Sequence, residues 1–554
     1  MTDTPEIRAS ASTNPPPPEP VKSGGVMRSS AIFSGLTLVS RFVGFARDIA
    51  INAVLGASVG PAADAYNTAL SFPNLFRRIF AEGAFAAAFV PAYAKTLRLE
   101  GEEAADRVAT DAIAVIAVAT LALTLAAQLT MPWLMMGINI GFLDDPARYN
   151  LAVILTQITM PYLPCMAIAA LLSGVLNARG RFIVSGAYPI LMNVIMLTAV
   201  LTSRGGPVGA AYAVSWGVLI SGVAQAGLCF WAVRKAGANI RFRVPRLSAP
   251  VKAIIITAIP AVIGNSATQI NVFISGNLAS FVEGGRSWLA TADRLYQLPL
   301  GLVGVAIGIA LLPKLSSAVA TGDRAQQQAS MDEALVLAAA LTLPAATAIL
   351  AMPHFLIDGL FTRDNFLAFD ALNTARVLFH FGWGVPAFIL IRILTPAFFS
   401  RQDTRTPMRF ALVSVAVNAV IAISLFVLGA GVPGIAAATS AAAWVNAGLL
   451  AATLWRRDHY RPAATAWRRL ARILAASLVM GALLLGAVWA RPLLEAPIDA
   501  LLGRGGKEIA LVGVTGAGGL VYLILLFVTR AVTVGEVKGL IRRERGASAL
   551  PPDA

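Results

Sequence analysis

The chain has 554 residues, 57 % of them hydrophobic and 13 % charged, where a typical soluble domain carries about 25 % charged residues. Too few charges are present to coat several soluble domains, which excludes a soluble enzyme, a disordered chain and a disulfide-stapled secreted scaffold. The net charge of +15 fits either nucleic-acid binding or basic loops on one face of a membrane, and loop placement decides between them.

Residues 1–27, with Pro15 to Pro18 and few apolar side chains, read as a disordered, Pro-rich cytoplasmic arm without a cleavable signal. Apolar windows long enough for a hydrocarbon core then follow at 29–55, 64–94, 108–136, 150–177, 182–202 and 208–233. A second group lies at 250–281, 287–317, 331–352, 368–399, 408–429 and 431–455, and a last pair at 467–490 and 508–529. The expected fold is an all-α polytopic membrane protein of about fourteen transmembrane helices. Its expected division is an N-terminal lobe (28–247), a C-terminal lobe (248–458), a final helix pair (459–546) and a cytoplasmic tail (547–554).

An even count puts both termini on one side. With that side inside, the inner loops hold about thirty Lys and Arg, among them Arg179, Arg181, Arg234, Lys235, Arg401, Arg405, Arg456 and Arg457. The outer loops hold seven: Arg148, Arg204, Arg286, Arg363, Arg491, Arg504 and Lys507. This positive-inside bias accounts for the net charge, sets both termini in the cytoplasm and rejects nucleic acid as a partner.

The two halves echo each other. Asp64-Ala65 leading to Pro73 matches Asp293-Arg294 leading to Pro299, and Arg179, Phe182 and Asn193 match Arg405, Phe410 and Asn418. Both echoes shift by six helices, so the lobes are expected to be related by a pseudo-two-fold axis along the membrane normal.

Arg41, Arg47, Arg77, Arg78, Arg294 and Arg392 fall inside predicted spans, with Asp48, Asp64, Glu82 and Asp293 near them. A mid-membrane arginine costs roughly 2.5 kcal/mol or more, so it faces a partner or a water-filled cavity. Arg78 with Glu82, and Arg41 with Asp48, share helical faces and are candidate internal pairs. The remaining basic excess, with Arg41, Arg47, Arg77 and Arg294 converging, suits an anionic, phosphate-bearing substrate, because guanidinium forks match phosphate oxygens. Arg392 stays undecided between cavity and structure. Gly44, Pro73, Gly83 and Pro299 are candidate bending points. No P-loop, metal-ligand spacing or nucleophile with a base is present, and Cys165 and Cys229 lie in apolar segments. Movement of a substrate is expected rather than chemistry on it.

Ser40-Arg41-Phe42-Val43-Gly44-Phe45-Ala46-Arg47-Asp48 resembles the first-helix signature of the MurJ (MviN) family of lipid II flippases. Pro73-Asn74-Leu75-Phe76-Arg77-Arg78-Ile79-Phe80-Ala81-Glu82-Gly83-Ala84-Phe85 resembles that family's second helix, and Ala292-Asp293-Arg294-Leu295 with Pro299 its eighth. Ser400-Arg401-Gln402-Asp403 with Thr406-Pro407 is similar to its loop between helices ten and eleven. The resemblance implies a fold of the multidrug/oligosaccharidyl-lipid/polysaccharide exporter superfamily. It also implies alternating-access transfer of undecaprenyl-pyrophosphate-linked peptidoglycan precursor from the inner to the outer leaflet of the bacterial inner membrane, for cell-wall biogenesis. Arg41, Arg47, Arg77 and Arg294 then hold the pyrophosphate, Asp48, Asp64, Arg78, Glu82 and Asp293 support them, and the last two helices form a groove for the lipid tail. No cofactor is implied; coupling to the membrane potential or to sodium stays open and no sodium site is assigned. Expected partners are lipid II, membrane lipids and, as an open case, proteins of cell-wall synthesis and division. The alternative is an exporter of another lipid-linked oligosaccharide, such as an O-antigen lipid, or of drugs.

Overall fold

The structure is a computed structural model that describes residues 23–80, 84–241, 243–502 and 505–532. Its first half contains α1 (Ser23–Leu55), α2 (Ala62–Phe80), α3 (Ala84–Leu99), α4 (Glu102–Ile138), α5 (Pro146–Thr159), α6 (Tyr162–Ala178), α7 (Phe182–Leu201) and α8 (Gly206–Lys235). The second half contains α9 (Ala249–Ser280), α10 (Gly285–Ala320), α11 (Arg324–Ala351), α12 (Pro353–Phe361), α13 (Ala368–Gly382), α14 (Val385–Phe399), α15 (Arg405–Leu425) and α16 (Gly431–Arg456). Then come α17 (Ala464–Trp489), α18 (Arg491–Leu502) and α19 (Gly506–Val528). No strand occurs among the described residues.

Among those residues, nine segments are long and apolar enough to cross a membrane. Two are bent: α5 and α6 meet at Met160–Pro161, and α13 and α14 at Trp383–Gly384. A third, Arg405–Arg456, runs to 52 residues and folds back at Gly429, whose φ of 86° needs a residue without Cβ, so that α15 and α16 lie side by side. The other windows expected from hydropathy correspond to α1, α2 with α3, α9 and α10, helical along their described length. Helix starts follow local chemistry. Asp145 accepts from the amides of Ala147 and Arg148 ahead of Pro146, and Asp323 caps α11 through the Gln326 amide. The short helices α12 and α18 were not expected from hydropathy.

Helices α1 to α8 pack mainly on one another, and α10 to α17 form a second bundle. Helix α9 belongs to both. Val251, Ile254 and Ala258 at its start sit in a core with Phe89, Tyr93 and Ile113 of the first bundle, while Asn271 further along meets Asn418 of α15. The two bundles repeat their polar fixings. Asp106 on α4 accepts from the Tyr93 hydroxyl and the Asn239 amide (2.7 Å). Asp332 on α11 accepts from the Tyr460 hydroxyl (2.7 Å) and the Ala463 amide. Each aspartate thus grips the loop that leaves its own bundle.

Several expectations are adjusted here. Helix α1 starts at Ser23, inside the stretch read as a disordered arm; residues 1–22 lie outside the described residues, as does the tail from 533. Gly44 lies within α1, Pro73 within α2 and Pro299 within α10, each inside a continuous helical segment. Gly44 instead permits close approach: a Cβ there would lie 3.2 Å from the Asn193 amide nitrogen. Gly83 lies outside the described residues.

Candidate functional site: an arginine seam between two bundles

The guanidinium of Arg47, on α1, is buried at 5 % exposure. Its Nε and Nη2 donate to Asp48 Oδ1 at 3.0 and 2.6 Å, and its Nη1 donates to Asn193 Oδ1 at 2.8 Å and approaches Met196 Sδ at 3.6 Å. The other oxygen of Asp48 pairs with Arg294 Nε of α10 at 3.2 Å. Asp48 therefore bridges a buried arginine of one bundle and an arginine of the other. The Arg294 side chain is 47 % exposed. A carboxylate held between two guanidiniums makes the kind of charge-assisted contact that guanidiniums also make with phosphate oxygens.

Arg41, one heptad before Asp48, does not pair with it. Its guanidinium lies against Gly301 of α10, where any Cβ would collide with it. Arg392 of α14 donates from Nη1 to the Leu300 carbonyl at 3.2 Å, so the two arginines converge on adjacent residues of one helix. Asp293 accepts from Gln297, one turn along α10. The side chains of Arg77 and Arg78, and residue Glu82, lie outside the described set, so the proposed Arg78–Glu82 pair does too.

Asp64 is placed elsewhere. It is 1 % exposed at the end where α1 leaves and α2 begins, and it accepts from the amides of Gly284 and Ser287, both at 3.0 Å. Gly284 is the N-cap of α10, so a carboxylate of the first bundle caps a helix of the second. Arg148 Nη1 lies 3.7 Å from Asp64, and Arg286, which donates to Thr68 Oγ1 at 3.1 Å, is also buried. Around them Gly141 N donates to Ser280 Oγ, Asn277 to the Gly137 carbonyl, Thr291 to Asn52, and Asn365 to the carbonyls of Ala53 and Val54. This end of the molecule is stitched shut.

In the sequence Arg148 and Arg286 fall in outer loops and Asp64 among the acids near the in-span arginines. The structure makes all three parts of the closed seam. In the sequence Asn193 stands out only as a repeat echo, and its link to Arg47 carries no signal beyond a polar residue in an apolar span. At the opposite end, Asp403 accepts from the amide and hydroxyl of Thr406 and from Arg457 Nη1 at 2.7 Å. Against a desolvation cost that raises it, these bonds and the Arg457 charge pull the Asp403 carboxyl down to about 2. Among the described residues no cluster of His, Cys, Asp or Glu is arranged to hold a metal.

The family model described as "Lipid II flippase MurJ" matches residues 51–491. A Rhizobium meliloti protein named "Probable lipid II flippase MurJ" is 39 % identical over 531 residues, covering 95 % of this chain and 98 % of its own. The "Lipid II flippase MurJ" of Burkholderia cenocepacia is 32 % identical over 464 residues, covering 83 % of this chain and 89 % of its own. Among solved structures, "Lipid II flippase MurJ, inward closed conformation" superposes with a TM-score of 0.71 at 23 % identity, covering 89 % of this chain and 98 % of that one. An inward-facing MATE transporter of the MOP superfamily matches with a TM-score of 0.64 at 15 % identity, over 77 % of this chain and 97 % of its own.

Proposed function

Because the chain belongs to the lipid II flippase MurJ family, and is therefore a membrane transporter that moves lipid II rather than an enzyme that transforms it, we propose that its arginine seam is where the lipid's pyrophosphate is held. The observation that carries this reading is the Asp48 bridge between buried Arg47 and half-exposed Arg294. Moving a pyrophosphate through bare hydrocarbon costs tens of kcal/mol, so the protein must replace its hydration shell. In this reading the incoming phosphate takes Arg294 from Asp48, with Arg41 and Arg392 as further donors at Leu300–Gly301 and Arg77 as a fifth. Phosphate then replaces the carboxylate at Arg294 while Asp48 stays with buried Arg47, so both guanidiniums keep an anionic partner.

The chain is placed in the bacterial inner membrane with fourteen crossings, as two six-helix lobes (28–247 and 248–458) and a final pair, both termini cytoplasmic. The positive-inside bias supports this orientation. The stitched end around Asp64 is then the outer face. The repeated fixings at Asp106 and Asp332, and at Asn193 and Asn418, support the pseudo-two-fold relation. Rocking of the bundles exchanges which face is open. Helices α17 and α19 are assigned to the lipid tail. Outward movement of two negative charges down 100 mV, inside negative, gains roughly 4.6 kcal/mol, which sets direction without a nucleotide.

The test is replacement of a host's own lipid II flippase by this chain, with lipid II on the outer leaflet measured directly. Rescue by the wild type, and loss in Arg294→Ala at equal membrane level, supports the activity and the site. Rescue by both keeps the flippase and discards the site. Flipping that continues unchanged after the potential is dissipated discards the electrical account.

A further inference from the structure

Arg47 has its polar edges occupied, and one of its partners is a residue that the binding reading does not use. Asn193, on α7, is 8 % exposed and spends both ends of its amide on α1. Its Oδ1 accepts from Arg47 Nη1 at 2.8 Å. Its Nδ2 donates to the Ser40 carbonyl at 2.9 Å and lies 3.3 Å from Ser40 Oγ. Gly44 of α1 leaves room for the amide, since a Cβ there would lie 3.2 Å from Nδ2. With Nη1 fixed there, the Nε–Nη2 edge of Arg47 is left to Asp48 Oδ1, and Asp48 Oδ2 is left to Arg294. The second bundle repeats the device without the charge: Asn418 of α15 meets the neutral Asn271 of α9.

We propose that Asn193 is a positioning residue for anion transfer, which clamps Arg47 so that its Nε–Nη2 edge can face one carboxylate or phosphate oxygen at a time. This rests on the reading of Arg47 and Arg294 as the phosphate-holding pair, and the two ideas are separable by experiment.

The first measurement needs no substrate. The full chain in lipid bilayers is treated with an arginine-specific dicarbonyl, and modification of Arg47 is followed by mass spectrometry. Arg47 should be protected in the wild type and in Asn418→Ala, and modified several-fold faster in Asn193→Ala. Asn193→Asp, which keeps the acceptor, should restore protection and covers the case in which the alanine variant inserts poorly. The second measurement is lipid II affinity in a double-mutant cycle. Asn193→Ala should weaken binding about fivefold in the wild-type background and have no further effect beside Arg47→Ala. Equal Arg47 modification in all variants, or additive losses in the cycle, overturns the proposal. If Asn193→Ala exposes Arg47 while neither single variant alters lipid II affinity, the clamp stands and the phosphate reading falls.

Discussion

Asp48 and Arg294 meet at 3.2 Å across the boundary between the two bundles, one on α1 and the other on α10. The same carboxylate is held by Arg47, whose side chain is 6 % exposed. Removing the carboxylate leaves a buried guanidinium without a counter-charge, and breaking a buried pair in this way costs about 3 kcal/mol or more. Asp48→Ala should therefore lower the unfolding midpoint, and Arg294→Ala, whose side chain is half solvated, should lower it far less. Thermal unfolding in detergent compares the two; equal losses would contradict the burial difference.

Asp64 should govern the closed end. Asp64→Ala removes the cap of α10 and leaves Arg148 and Arg286 beside an empty place. Single-cysteine variants at Ser280 report on the seam through their reaction with a membrane-impermeant thiol reagent. Labelling should rise severalfold when Asp64→Ala is added, because a lost cap costs about 1 kcal/mol and a factor of five in a two-state equilibrium. Unchanged labelling would mean that the other seam bonds suffice alone.

Gly301→Ala separates stability from function. Alanine in a helix interior is favoured over glycine by about 1 kcal/mol, yet a Cβ at 301 displaces the Arg41 guanidinium. The variant should keep or raise the unfolding midpoint and lose most lipid II export. Full export would show that Arg41 does not need its place on α10.

The Asp403 carboxyl, pulled down to about 2, lies below the ordinary value of about 3.9, so the fold favours its ionised form. Its contribution is complete above about pH 4 and drains away as pH falls toward 2. The midpoint difference between wild type and Asp403→Asn should be present at pH 7, shrink below pH 4 and fall with added salt, since the Arg457 partner is about half exposed. A difference that does not change with pH would contradict the lowered carboxyl, whereas a pH-dependent difference that salt leaves unchanged would assign the effect to the Thr406 hydrogen bonds rather than to Arg457.

Much of this architecture was legible because the bilayer imposes one length and one polarity on every span. The apolar windows land on α4, α7, α8 and α16 within a few residues, and the charges that violate the rule, Arg47, Asp48 and Arg294, come together. The closed seam was not legible. Arg148 and Arg286 look like loop cations until tertiary packing buries them, and Asp64 looks like a cavity acid until α10 begins beside it. Asn193 acts at a separation of 146 residues from Arg47, and no periodicity carries that information. The short α12 and α18 escaped because neither is long enough to span.

The seam around Asp64 is made largely of amides, hydroxyls and carbonyls, with few ion pairs. Each such bond is worth about 1 kcal/mol net, because water replaces the partner once the bond is released. Parting it bond by bond is thus a series of small exchanges with solvent, of the same order as the electrical gain of carrying two charges outward. A latch of this kind yields to a modest bias and re-forms without a fuel.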